Sequence, residues 1–148
     1  MDHAATFGRG RAATTSWAPT ATTWLRLSVV YLIMGVALGI AMGASGNFSL
    51  RPVHAHLNLL GWATIALAGL IYSVFPDAAA SRLAKLHFWL HNLALPVMMA
   101  SLAWLLLGHH EIVPVLAASE FVAAGGVIVF ACNVFLNVKS RASLSHSR

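Results

Sequence analysis

Four apolar stretches, each about as long as a bilayer is thick, constrain this chain more than any other feature. They run over Trp24–Met42, His54–Phe75, Lys85–Leu107 and Val113–Val138. About 20 apolar helical residues cross the ~30 Å of hydrocarbon in a membrane, so each stretch is long enough to span. Inside hydrocarbon only a helix satisfies its own backbone within one segment. The pattern predicts an all-α integral membrane protein of four transmembrane helices. Gly43–Gly46, Pro76-Asp77 and Gly108–Glu111 mark the breaks, and the connections leave no room for another domain.

Composition agrees. Of 148 residues, 59% are hydrophobic and 9% are charged. Soluble domains carry about 25% charged residues. The net charge of +5 is spread over segment ends, with no basic stripe, so it reads as topology and lipid contact and excludes nucleic acid as a partner. Residues 1–23, rich in Ala, Thr and Gly, read as a disordered tail, residues 24–138 as the transmembrane domain and residues 139–148 as a C-terminal tail. The first stretch is longer than the core of a cleaved leader and reads as a true span. Cys132 is the single cysteine. It excludes a disulfide framework and a Cys-x-x-Cys-His heme attachment, and reads as a small core residue.

The basic residues set the orientation. In a four-helix layout Arg9, Arg11, Arg26, Arg82, Lys85, Lys139, Arg141 and Arg148 fall on one side, and Arg51 alone on the other. This predicts both termini in the cytoplasm of a cell with this protein in its inner membrane. His54 and His56 then lie in the outer leaflet, with His109 and His110 on the same side. His87 and His91 fall near the opposite face, about 30 Å away along a helix, too far to share a centre with His54. Their i, i+4 spacing suits zinc, but with Lys85 and Trp89 beside them they read as an interfacial anchor.

His54-Ala55-His56 carries the chemistry. A histidine in hydrocarbon is costly without a partner and marks a functional site by default. Helical residues two apart point ~200° apart, so the two imidazoles face different partners on opposite sides of one helix. Imidazole is the usual ligand of heme iron, copper and zinc. Ala55, Gly61, Ala63, Ala66, Ala68 and Gly69 leave room on this helix for a flat apolar plate. Asn58, one turn from His54, is placed to orient it, and Arg51 at the helix end is placed to pair with a heme propionate. His109-His110 forms an adjacent pair fit for copper or for an exposed turn. Glu120, ~10 Å into the fourth helix, must be paired, protonated or part of a proton path. Met34, Met42, Met98 and Met99 read as packing. Walker, nucleotide-fingerprint, Gly-x-Ser-x-Gly and His-Glu-x-x-His motifs are missing, which leaves hydrolase and transferase chemistry without support.

The segment His54-Ala55-His56-Leu57-Asn58-Leu59-Leu60-Gly61-Trp62 resembles the tenth helix of subunit I of heme-copper oxidases, particularly the C-type cytochrome c oxidase branch. In that family a His-x-His followed by Gly-Trp holds two hemes on opposite sides of one helix. Leu86-His87-Phe88-Trp89-Leu90 is similar to the start of the family's eleventh helix, and Arg51-Pro52-Val53-His54 to its second-helix segment. The resemblance implies non-covalent heme b on His54 and His56, and copper on His109 and His110. The family core has twelve helices in three arcs of four, whereas this chain has four. A cyclic homotrimer would rebuild twelve, with His54 of one subunit and His56 of the next clamping one heme. Three functions follow as expectations: a bis-histidine heme protein for electron transfer, from a donor left open, or for gas sensing; a reduced oxidase or nitric oxide reductase with heme and copper; or a cofactor-free assembly partner of a larger oxidase.

Overall fold

The computed structural model describes residues 19–139, and the two tails beyond them lie outside the described residues. Four long helices follow one another: α1 (Ala21–Ser45), α2 (Arg51–Val74), α3 (Arg82–Leu106) and α4 (Val113–Asn137). All four are long and apolar enough to cross a membrane. The expected spans are present, with α1, α2 and α3 each starting three residues earlier than its apolar stretch. Local signals set these starts. The Thr20 hydroxyl accepts from the Thr23 amide at 3.2 Å, and the Ser81 hydroxyl accepts from the Ala84 amide at 3.0 Å. Each satisfies an amide that the first turn leaves unpaired. Pro52 and Pro114 occupy first turns, where a missing N–H costs nothing. Gly46 ends α1 at φ 67°.

The helices pack in chain order: α1 along α2, α2 against α3, and α3 along most of α4. A single-turn helix at Pro76–Ala80 closes the α2–α3 end, and a 3-10 turn at His110–Ile112 leads into α4. Trp24, Ile65 and Leu95 are buried in the core, while Phe121 and Phe135 on α4 are 80% and 86% exposed. An apolar surface of this kind suits lipid and would be costly in water. Cys132 is exposed on α4 and does not occupy the core position expected of it. Met42, Met98 and Met99 pack inside as expected, whereas Met34 is half exposed.

α2 is irregular where it matters. Arg51–His56 is α-helical, Leu57–Thr64 is π-helical, and Ile65–Val74 returns to α. The wider turn is visible in Thr64, whose hydroxyl donates to the Leu59 carbonyl five residues back at 2.8 Å. Gly61, inside this segment, sits against the Tyr31 side chain of α1, where a Cβ would come within 2.7 Å of it. π-turns of this sort are rare and concentrate at functional sites.

Candidate functional site

The two histidines of the His-x-His face different neighbours, as their ~200° separation requires. The His54 ring lies on α1. Its Nδ1 is 2.9 Å from the Gly35 carbonyl, and its Cε1 occupies the space of an absent Gly39 side chain, 2.9 Å from where a Cβ would stand. A carbonyl only accepts, so Nδ1 carries the proton and donates. Nε2 is left with a free lone pair. His56 repeats the device on the other side: its Nδ1 donates to the Pro52 carbonyl at 2.8 Å, again leaving Nε2 free. Pro52 sits one turn back, so this bond is local to α2.

Asn58 acts on the main chain. Its amide donates to the His54 carbonyl at 2.8 Å and packs on Gly35. The orientation of the His54 ring thus belongs to the Gly35 carbonyl, whereas Asn58 secures the backbone beneath it. Arg51 is exposed at the helix start, with its guanidinium 5.4 Å from the centroid of the Phe48 ring.

His87 and His91 overturn the expected interfacial anchor. Both are buried, at 1% and 2% exposure, with ring centroids 5.6 Å apart. His91 stands nine residues past the start of α3, about 14 Å along the helix. That depth, and the packing of α2 on α3, bring it within reach of the His-x-His region. His91 Nε2 is 3.0 Å from the Leu60 carbonyl in the π-helical turn and donates to it. His91 Nδ1 is buried without a partner.

His56, His91 and Glu120 line one cavity of about 300 Å³ between α2, α3 and α4, with Leu60, Leu95 and Met98 among its apolar walls. Glu120 lies seven residues into α4, about 10 Å deep, and is exposed at the mouth.

Toward the α2–α3 end lies a second polar cluster. The Asn133 amide donates to the Tyr72 hydroxyl at 3.2 Å and to the Ala78 carbonyl at 3.0 Å. Its oxygen accepts from Ser81 at 2.9 Å and from Asn137 at 2.7 Å. Since the Tyr72 oxygen accepts from Asn133, its own hydrogen goes to His87 Nδ1, 3.1 Å away. Trp24 stacks on His87 at 4.7 Å. Asn133 uses both donors and its acceptor, and an amide does not relay protons readily. The cluster therefore ties α2, the Pro76–Ala80 turn, α3 and α4 together.

The outer-loop pair is held separately. His109 stacks on Trp104 at 4.2 Å, and its Nδ1 is 3.4 Å from Glu111. A bond from Glu111's own backbone amide, then Trp104 and the neighbouring histidines, keep the Glu111 carboxyl below the usual range. His110 is exposed. Among the described residues no three His, Cys, Asp or Glu side chains gather to hold a bare metal ion, so the copper expected at His109 and His110 finds no third ligand here.

Neither a protein-family model, a curated protein nor a solved structure matches this chain.

Proposed function

We propose that this chain is a membrane-embedded b-type heme protein, with His54 and His56 as axial ligands. The observation that carries the reading is the pair of Nδ1–carbonyl bonds, 2.9 Å at His54 and 2.8 Å at His56. Ligating histidines characteristically donate the other ring nitrogen to a carbonyl, which fixes tautomer and direction. Both imidazoles here have that form, and both keep Nε2 free. The glycine space at Gly39 seats His54, and the π-turn that follows supports a functional assignment for this stretch. The donor set fits heme, which needs one or two protein ligands, better than a bare ion, which needs three or four. Bound heme supplies one-electron chemistry. Arg51 stands where a propionate would find a cation.

The ~200° separation prevents one subunit from giving both ligands to one iron. A cyclic homotrimer resembling the oxidase core meets this requirement, with His54 of one subunit opposite His56 of the next. The partition of basic residues supports an inner-membrane protein with both termini in the cytoplasm. Electron transfer is the reading favoured over gas sensing, because two imidazoles leave iron no open position for a gas.

The test is the absorption spectrum and pyridine hemochrome of the purified membrane protein. About one low-spin heme b per chain is expected, lost or converted to five-coordinate in His54→Ala and in His56→Ala. A colourless protein would favour the cofactor-free assembly reading. Carbon monoxide binding to the reduced wild type would favour the oxidase reading.

A further inference from the structure

His91 is buried among the apolar residues of α3, and the proposed heme ligation does not use it. Its Nε2–H goes to one acceptor, the Leu60 carbonyl of α2, at 3.0 Å. The choice of carbonyl has a reason. The π-helical run ends at Thr64, whose amide reaches back five residues to the Leu59 carbonyl, as its hydroxyl also does at 2.8 Å. The next amide, that of Ile65, donates to the Trp62 carbonyl. The return to tighter bonding thus steps over Leu60 and leaves its carbonyl without an amide. A main-chain carbonyl in a membrane interior must find a donor, and His91 is that donor. The two halves of α2 are anchored separately. In the inner half Tyr72 is bonded to His87 and Asn133, and Gly69 lies against Trp24. In the outer half the His54 ring rests on the Gly35 carbonyl of α1.

We propose that His91 is a positioning residue: by pairing with the Leu60 carbonyl it holds one extra residue in the wide turn of α2, and that turn aims His54 and His56. Closing the turn to regular α-helix would shift everything before it by one residue of register, ~100° of rotation and ~1.5 Å of rise. The inner half is tied at Tyr72, so the outer half would turn. His54 would then leave the Gly35 carbonyl and the space at Gly39, and His56 would leave the side of α2 that faces α4. The bond on Leu60 removes the gain from closing, because it satisfies the one carbonyl that the wide turn strands. As an account of how heme ligands are aimed, the proposal rests on the heme reading. The direction of the His54 ring belongs to the folded chain itself and is measurable without heme.

The experiment reads the His54–Gly35 contact in the heme-free, full-length protein in lipid bilayers. Solid-state NMR measures dipolar coupling between isotope-labelled histidine ring nitrogens and glycine carbonyl carbons. Among the described residues only His54 has a ring nitrogen bonded to a glycine carbonyl. The wild type should show the contact. His91→Phe keeps a ring and loses the donor, and should lose the contact. His91→Gln puts an amide donor in the same place and should keep it. Deletion of Leu59, which is 65% exposed, takes out the extra residue, so the carbonyl at Leu60 is no longer stepped over. The chain with Leu59 deleted and His91→Phe should therefore regain the contact. A packing role alone would lower stability in His91→Phe without moving His54, and the deletion would add to the damage. Heme affinity should follow the same order, with a 10–100-fold loss in His91→Phe, as when a ligating histidine loses what orients it. The contact retained in folded His91→Phe would overturn the proposal. So would a double variant that lacks the contact or does not fold, which decides the matter if His91→Phe alone fails to fold. A wild type that takes up no heme would sink the heme reading and leave the NMR result standing.

Discussion

His54 of α2 is held by the main chain of α1: its Nδ1 lies 2.9 Å from the Gly35 carbonyl, nineteen residues earlier. In a regular helix that carbonyl already accepts the Gly39 amide. Gly39 has no side chain to cover it, and the same space admits the imidazole edge-on. One stretch of α1, Gly35–Gly39, therefore supplies both the acceptor and the room: a side chain at Gly39 would meet the His54 ring, and one at Gly35 would meet Asn58.

The sharper variant is Gly39→Val. Its Cβ would stand 2.9 Å from His54 Cε1, below any real contact, and the branched methyls would press further. The ring must swing away from the Gly35 carbonyl and lose its fixed direction. Removing the partner that orients a ligating histidine costs about 10–100-fold in affinity. Heme titration of the apoprotein should show a loss in that range, with unchanged helical circular dichroism. Wild-type affinity in Gly39→Val would mean that His54 is not a ligand, or not one that this contact aims.

Asn133 is the keystone of the α2–α3 end, and its loss should be read as stability. Asn133→Ala removes four hydrogen bonds at once, to the Tyr72 hydroxyl and the Ala78 carbonyl and from Ser81 and Asn137, while Tyr72 keeps His87 and Ser81 keeps the Ala78 carbonyl. An expected loss of about 2–3 kcal/mol follows from four lost bonds of roughly 0.5–1.5 kcal/mol each, partly offset by the partners that remain. Tyr72→Phe removes two bonds, the one accepted from Asn133 and the one donated to His87 Nδ1, and should cost less, about 1–2 kcal/mol. Unfolding in mixed detergent micelles measures both. Equal effects would show that the cluster does not work through Asn133.

Much of this arrangement was legible in the residues themselves. Length and hydropathy give the four spans, because hydrocarbon permits few alternatives. The opposed directions of His54 and His56 follow from helical rotation alone. What was not legible is tertiary. Nothing near His54 names the Gly35 carbonyl, since their contact depends on how α1 packs on α2. By sequence alone His91, close to Lys85 and Trp89, resembles an interfacial residue, whereas it is buried. Its real depth depends on α3 beginning at Arg82 and on a π-turn that offers it the Leu60 carbonyl. Asn58 shares the His54 side of α2, but its bond goes to the main chain and not to the ring, so it does not orient the imidazole as expected.

Orientation is testable by labelling. Of the nine basic residues, only Arg51 falls with the α1–α2 loop. Ser45 caps that loop end of α1, and Ser145 lies in the C-terminal tail outside the described residues. In a Cys132→Ala background, Ser45→Cys should react with a membrane-impermeant maleimide from outside intact cells, and Ser145→Cys only after permeabilisation. The background change is required because Cys132 is exposed on α4. Reaction of both from outside would invert or break the four-span layout.

Assembly follows from the same helix. His54 lies against α1, whereas His56 lines the cavity toward α4, so under the heme proposal the two histidines serve unlike faces of α2. A twofold axis joins one patch to itself, and histidines on opposite faces of a helix do not share a patch; a head-to-tail ring joins unlike faces and closes. Native mass spectrometry in mild detergent should therefore show a heme-bearing trimer. A mixing experiment then asks where the two ligands of one iron come from. In a ring built at random from equal parts His54→Ala and His56→Ala chains, about one interface in four pairs an intact His54 with an intact His56. Co-expression should restore close to a quarter of the bis-histidine spectrum, while each variant alone restores none. If both ligands came from one subunit, no mixture could restore any, because every chain lacks one of them. No recovery in co-assembled, well-folded rings would thus overturn the shared site, as would a heme-loaded monomer of the wild type.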